Sequence, residues 1–503
     1  MTGSVDRLRR TFVRSIVVMG AVAILAFLTE FYLEWDHAGR PGVRELSWAG
    51  DNHAKLVDSL SPIARAYNNI LAMLMATVGL AVPLTATMHT PKLIELFARD
   101  RINRIVLTLM AFGAANTLWV MYMVGPGFAP MWAYRIAVYS VLLGWIVVVP
   151  YFMYVVKFLD PSTIVERLMK EAVALVDRAA EGRGRPSLLR DAVEERVFQI
   201  GTVIIKSLDR ADREVTREGI WALRNILFRY GEAKSKMGDD WFAIDRADYI
   251  GVSSAALEML AEKRTFFETQ VLGQLFLSYQ AALAKAPDAI SAIGKANRMV
   301  ARNAAANGDG HVVSLCFRFM NSFIREALKR NDTRAVYDVF YQYRELADDI
   351  SANQDAALEI GRYLLHYAAI AERKGDDFVP QLAVFDLAHV TERAHQAGNP
   401  RAGELLDLLA EVSNLTRGAL DPMKLKAKLV LAAYFVKHGR AGETSRLARA
   451  FEGVPRVEIE RAAAELLSVG KRAYWEITDR QVNIEWTPPE DRGYITKFVE
   501  SLP

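Results

Sequence analysis

Residues 134–156 read YRIAVYSVLLGWIVVVPYFMYVV and carry a single charge, Arg135. A helix needs about 20 mostly apolar residues to cross the hydrocarbon core of a bilayer. Three more stretches meet that requirement, at 15–33, 69–88 and 105–124. A transmembrane region of four helices over residues 1–157 is therefore expected, followed by a large charged part. The fold class is all-α throughout.

Composition narrows the classes further. With 62 Lys and Arg against 59 Asp and Glu, the net charge is +3. That is too small to argue for a nucleic-acid partner. The single cysteine, Cys316, allows no internal disulfide. The apolar content excludes disordered and collagen-like chains.

The first stretch also has the basic start of a signal peptide, in Arg7, Arg9, Arg10 and Arg14. It is followed by bulky Thr29-Glu30-Phe31-Tyr32 rather than a small-residue cleavage site, so it reads as an anchor. Basic residues also crowd the loop between the second and third stretches, at Lys92, Arg99, Arg101 and Arg104. Gly125-Pro126-Gly127 on the other side makes a tight turn almost free of charge. The positive-inside rule then places both termini in the cytoplasm of a bacterial inner membrane, with a multi-pass topology.

Each span carries small residues at helical spacing, such as Ala72, Ala76 and Gly79, or Thr108, Ala111 and Ala115, or Ala137, Ser140 and Gly144. Small residues let helix backbones approach in lipid. Glu30 shares such a face, with Glu34 one turn further out. Either carboxylate is expected to pair with Arg135 at similar depth. Pro83 and Pro150 are candidate helix breaks. Lys92, Arg99, Arg101 and Arg104 are candidate contacts to anionic inner-leaflet lipid.

The run Ala81-Val82-Pro83-Leu84-Thr85-Ala86-Thr87-Met88-His89-Thr90-Pro91-Lys92-Leu93, with Leu96-Phe97-Ala98-Arg99-Asp100-Arg101-Ile102-Asn103, resembles a bacterial membrane-protein family, the domain of unknown function 2254. The break at Thr90-Pro91 and the Arg-Asp-Arg motif carry the likeness. Phe198-Gln199-Ile200-Gly201 and Lys206-Ser207-Leu208 extend it, to about residues 58–230. Asp209-Arg210-Ala211-Asp212-Arg213 departs from the family pattern, and no β-rich insert precedes that helix. The resemblance implies a topology and no activity.

Beyond residue 157 the pattern is amphipathic-helical. Asp160 and Pro161 open a helix. Residues 158–250 read as a helical connector, with Gly182-Arg183-Gly184-Arg185-Pro186 as a linker and a less regular stretch around Gly231 and Asp239-Asp240-Trp241-Phe242. Turn signals then recur at Asn307-Gly308, Asn331-Asp332, Asn353, Gly375-Asp376, Gly398-Asn399-Pro400, Gly418 and Gly439. Their spacing predicts antiparallel helical hairpins over 251–480, a solenoid-like domain similar to tetratricopeptide repeats at Ala427–Pro455. The tail, 481–503, alternates briefly at Val482-Asn483-Ile484-Glu485-Trp486, is stopped by Pro488-Pro489, and is expected to cap the last helices.

Motifs for chemistry are sparse. Gly294-Lys295 and Gly470-Lys471 lack the upstream glycine and following hydroxyl of a phosphate loop. His389, Glu392 and His395 lie three residues apart each time, not at the four-residue His spacing of a zinc helix, and read as a solvated face. The Asp pairs 239–240, 348–349 and 376–377 read as caps or solvated charge. Cys316 reads as a small buried hydrophobe. No cofactor, metal site or enzymatic activity is expected. The reading is an oligomeric membrane protein whose helical-repeat domain serves as an interaction or assembly scaffold for a protein partner. The alternative is an oligomeric ion channel or transporter with a cytoplasmic vestibule.

Overall fold

The computed structural model describes residues 52–88, 93–123, 131–243, 254–415, 422–473 and 480–502, with Ala21, Leu25, Leu28, Thr29, Tyr32, Leu33 and Asp36. It divides into two compact units, Met1–Ile164 and Val165–Pro503. The described residues between 21 and 36 are helical, and the rest of the first expected span lies outside the described residues.

In the first unit the described helices are α1 (Asn52–Met88), α2 (Leu93–Arg99), α3 (Arg101–Met123) and α4 (Met131–Leu159). Three segments among the described residues are long and apolar enough to span a membrane: Asp58–Thr87, Arg101–Met123 and Trp132–Leu159. Helix α1 begins well before the expected start at residue 69. Asp58 and Arg65 interrupt the apolar run but not the helix, because Leu60, Ala64 and Tyr67 recur one turn apart and are all buried. Pro83 and Pro150, expected as breaks, lie inside continuous helices. A proline removes one intrahelical donor, and both side chains sit on exposed faces where no neighbouring helix is displaced by the ring.

Tyr67 holds α1, α3 and α4 together. A Cβ built on Gly144 would lie 2.2 Å from Tyr67 Cε2, and one on Gly113 would lie 2.6 Å from the Tyr67 hydroxyl oxygen. The two glycines thus form a notch for the ring, and the hydroxyl donates to Met110 Sδ at 3.6 Å. Gly144→Ala is expected to cost about 1–3 kcal/mol, since a rigid ring must move. Gly79→Ala, which meets nothing within 4 Å, should be neutral or slightly stabilising. Denaturant titration of detergent-solubilised variants checks this; equal midpoints for the two would contradict the notch. Of the small-residue stripes, the one through Ala137 and Gly144 packs inward, whereas Ala72, Ala76, Gly79, Ala111 and Ala115 point outward.

Helix α5 (Pro161–Ala180) opens with Asp160 accepting from the Thr163 amide. The second unit continues with α6 (Pro186–Asp209), α7 (Arg213–Ala233), α8 (Asp239–Phe242), α9 (Ser254–Glu262), α10 (Phe266–Lys285) and α11 (Pro287–Ala306). Then follow α12 (Gly310–Lys329), α13 (Thr333–Asp349), α14 (Gln354–Arg373), α15 (Phe378–Gln396) and α16 (Ala402–Leu415). The last are α17 (Pro422–Lys437), α18 (Ala441–Ala448), α19 (Arg456–Ser468) and α20 (Pro489–Ser501). The stretch expected to be less regular is instead two long helices, α6 and α7. Its interior glycines are packing positions rather than breaks: a Cβ on Gly219 would sit 2.4 Å from Ile204 Cγ1, and Gly231 faces Asn303.

The turn signals have a common mechanism. Gly308, Asn331, Gly375, Gly398 and Gly439 all have positive φ. Each ends its helix in the left-handed conformation that glycine and asparagine tolerate best. The next amide reaches back to the helix just ended, as Asp309 does to the Ala304 carbonyl and Asp332 to that of Ala327. The same Asp side chains cap the following helices, accepting from Val312 and Ala335. Two or three residues therefore stop one helix and start the next. Gly418 lies outside the described residues.

From α10 to α17 each helix packs on the next and on the next but one. Helices α7, α11, α13, α15 and α17 form one closely packed layer, and α6, α10, α12, α14 and α16 form the other. The tail lies on the end of this stack. Val482 forms an isolated antiparallel bridge with Ala473, and Pro489 starts α20, which packs on α17 and α19. The Pro488-Pro489 pair therefore stops the extended segment by opening a helix.

Candidate functional site

Helices α13, α15 and α17, with the C-terminal segment, enclose a cavity of about 590 Å³. Tyr341 and Arg344 line it from α13, His389 and Glu392 from α15, and Tyr434 from α17. Arg472 and Trp486 close the far wall.

The floor is a buried ion pair. Arg480 donates to both Asp386 oxygens, at 2.6 and 2.8 Å, and both side chains are almost fully buried. The guanidinium also lies over the rings of Tyr337 and Tyr341, at 5.0 and 5.5 Å. Residues 94 positions apart are thus joined, and the tail is keyed into the stack.

The acidic groups of the wall are already engaged. Glu345 binds Arg298 at 3.1 Å, and Asp491 binds Lys437 at 2.5 Å. Glu392 accepts from Gln396, and burial raises its pKa. His389 donates from Nε2 to Asp348 at 2.8 Å and accepts from Arg344 at Nδ1, 3.3 Å away. The roles follow from the partners, because a carboxylate only accepts and a guanidinium only donates. Burial works to raise the Asp348 carboxyl, but the His389 bond and the Arg393 charge outweigh it and hold its pKa below the usual range.

Two guanidiniums remain. Arg344 makes a long ion pair, 3.8 Å to Asp386, a carboxylate that Arg480 already holds. Arg472 stacks on Trp486 at 5.4 Å and has no ion pair among the described residues. The cavity therefore offers spare cationic donors beside the rings of Tyr341, Tyr434 and Trp486. Such a wall suits a carboxylate or other anion with flat or apolar neighbours.

The residues singled out from sequence fall elsewhere. Glu30, Glu34 and Lys92 lie outside the described residues. Arg135 is in the first turn of α4, with its guanidinium 5.2 Å from the Trp132 ring centroid. Arg99 pairs with Glu95 at 2.6 Å. Arg101 and Arg104 are exposed at the start of α3. The Arg-Asp-Arg motif has a structural explanation in Asp100. Its Oδ2 accepts from the Ile102 and Asn103 amides at 3.1 Å and from the Tyr154 hydroxyl at 2.7 Å. It caps α3 and fastens it to α4. Asn103 then donates to the Phe97 carbonyl, closing α2 onto α3.

The 389–395 face is not a solvated one. Thr391 and His395 are buried, and His395 meets Phe435 edge-on, while His389 and Glu392 turn to the cavity. The Asp348–Asp349 pair joins helices rather than capping one, with Asp349 3.5 Å from Arg298. Asp376 does cap, accepting from the Phe378 and Val379 amides. Cys316 is fully buried, and burial raises its thiol pKa. No group of three metal-ligating side chains occurs among the described residues.

No curated protein and no solved structure matches the chain. The Gly201 of the Phe-Gln-Ile-Gly stretch fits closely against α10, where a Cβ would meet Gln274 at 2.1 Å. With the Asp100 junction, it gives the two sequence motifs their structural reasons. Residues 9–204, the membrane part with the start of the helices that follow it, match the model of a family described as Predicted membrane protein (DUF2254), and over that stretch the chain is similar to it.

Proposed function

We propose that this membrane protein is a scaffold rather than an enzyme, and that its stacked hairpins form a helical-repeat domain that binds an extended acidic segment of a protein partner. The observation behind this reading is the cavity at α13, α15 and α17, where Arg344 and Arg472 stand without close carboxylates among aromatic rings. Basic flanks support a multi-pass inner-membrane placement with this domain and both termini in the cytoplasm. The outward faces of Ala72, Ala76 and Gly79, and of Ala111 and Ala115, support homo-oligomers packed through small residues.

The test uses the full-length protein and two fluorescent dodecapeptides, one alternating Glu with Tyr and one alternating Lys with Tyr. Anisotropy should show binding of the acidic peptide only. The double variant Arg344→Gln, Arg472→Gln should weaken it at least tenfold, about 1.4 kcal/mol. Equal binding of the lysine peptide, or affinity unchanged in the variant, would remove the support for this site.

A further inference from the structure

The first unit carries a second cationic site, at the junction of α2, α3 and α4, on which the cavity argument does not depend. Asp100 fixes the geometry there. By bonding Tyr154 it sets the start of α3 level with the last turns of α4. Lys157, one turn beyond Tyr154, therefore lies at the same end of the bundle as Arg101 and Arg104.

All three side chains are exposed, and none has an ion pair among the described residues. Asp100, the nearest carboxylate in sequence, is occupied by two amides and a tyrosine hydroxyl. Glu95 is occupied by Arg99. The outward face of α3 continues from the arginines into Ile102, Ile105 and Leu109, all exposed. Cations at the end of an apolar, outward-facing helix match a phosphate headgroup above acyl chains. Guanidinium groups suit this better than ammonium because their fork meets phosphate oxygens two at a time. Two buried polar atoms in the same region, Asn103 Oδ1 and the Tyr151 hydroxyl, have no hydrogen-bond partner among the described residues.

We propose that Arg101, Arg104 and Lys157 hold the headgroup of an acidic glycerophospholipid, whose acyl chains lie along Ile102, Ile105 and Leu109. On the orientation argued above, this is a lipid of the cytoplasmic leaflet.

The experiment places the full-length protein in nanodiscs of equal parts phosphatidylcholine and phosphatidylglycerol, then counts retained lipids by native mass spectrometry. Wild type should retain phosphatidylglycerol over phosphatidylcholine by roughly fivefold or more. The pair Arg101→Gln, Arg104→Gln should bring the ratio close to one. The exposed pair Arg183→Gln, Arg185→Gln, far along the chain, should leave it unchanged. An unchanged ratio in the first pair overturns the proposal. So does displacement of the lipid by millimolar glycerol phosphate, which would make the site one for a free phosphate. If the glutamine pair does not fold, wild type decides the matter in rising salt, because an enrichment that survives high ionic strength is not electrostatic.

Discussion

Asp386→Ala should destabilise the helical stack by about 3–5 kcal/mol, because it strands the Arg480 guanidinium in a site where both partners are almost fully buried. The loss exceeds what the pair itself contributes. Most of it is the cost of leaving a charge without hydration or counter-charge, with only the faces of Tyr337 and Tyr341 to receive it. Arg344, 3.8 Å from Asp386, would be left with His389 alone. Removing both charges with apolar replacements of similar size, Asp386→Leu with Arg480→Met, should recover much of the loss. Hydrogen exchange of α15 and α20 in the full chain gives the measurement. Single variants should lose protection in both helices, and the double variant should regain it in α20. Additive losses in the double variant would mean that the pair is not what fastens the tail.

The second large effect depends on pH. Lys428 is 1% exposed, and its ammonium donates to one acceptor among the described residues, the Ala410 carbonyl at 3.2 Å. Burial, aided by the charge of Lys424, pushes its pKa down to about 8. A free lysine titrates near 10.4. Below pH 8 both folded and unfolded chains carry the proton, and the full cost of the buried charge is present. Between pH 8 and about 10.4 the folded chain has released the proton while the unfolded chain keeps it. The unfolded state then binds more protons, so stability rises with pH, by about 3 kcal/mol across the window. Lys428→Met should therefore stabilise the protein at pH 7, and its difference from wild type should shrink toward pH 10. Exchange rates of the α17 amides measured at pH 7 and pH 9.5 test the sign. A flat difference would show that the ammonium is solvated in the folded state, and one that grows with pH that it is paired with a carboxylate there.

How much of this was legible in the sequence depends on distance along the chain. The spans at 69–88, 105–124 and 134–156 follow from apolar length alone, and the structure moves their ends without removing any. The hairpin turns were legible because one local rule generates them, a left-handed residue followed by a capping side chain, as at Gly308-Asp309 and Asn331-Asp332. The start of α1 was not, because Asp58 and Arg65 lower the hydropathy of a window whose Leu60, Ala64 and Tyr67 are buried. The cavity was not either. Its walls come from residues 341–491, and nothing local marks Arg480 as the partner of Asp386. Nor does anything local mark Lys424, Lys426 and Lys428 as buried, which all three are, since α17 is covered by α15, α18, α19 and α20.

The order of packing in the stack bears on how the chain is made. A helix that touches only its next two neighbours finds its earlier partners already synthesised when it leaves the ribosome. Each hairpin from α10 to α17 can dock as it emerges, with little loop entropy to overcome. The Asp386–Arg480 contact breaks that pattern, because α15 must wait for 94 further residues before its buried carboxylate is matched. Until then Asp386 stands open to water at the growing end. The cavity thus closes last, after translation has passed residue 480, and a chain stopped short of that point would have the stack without the site.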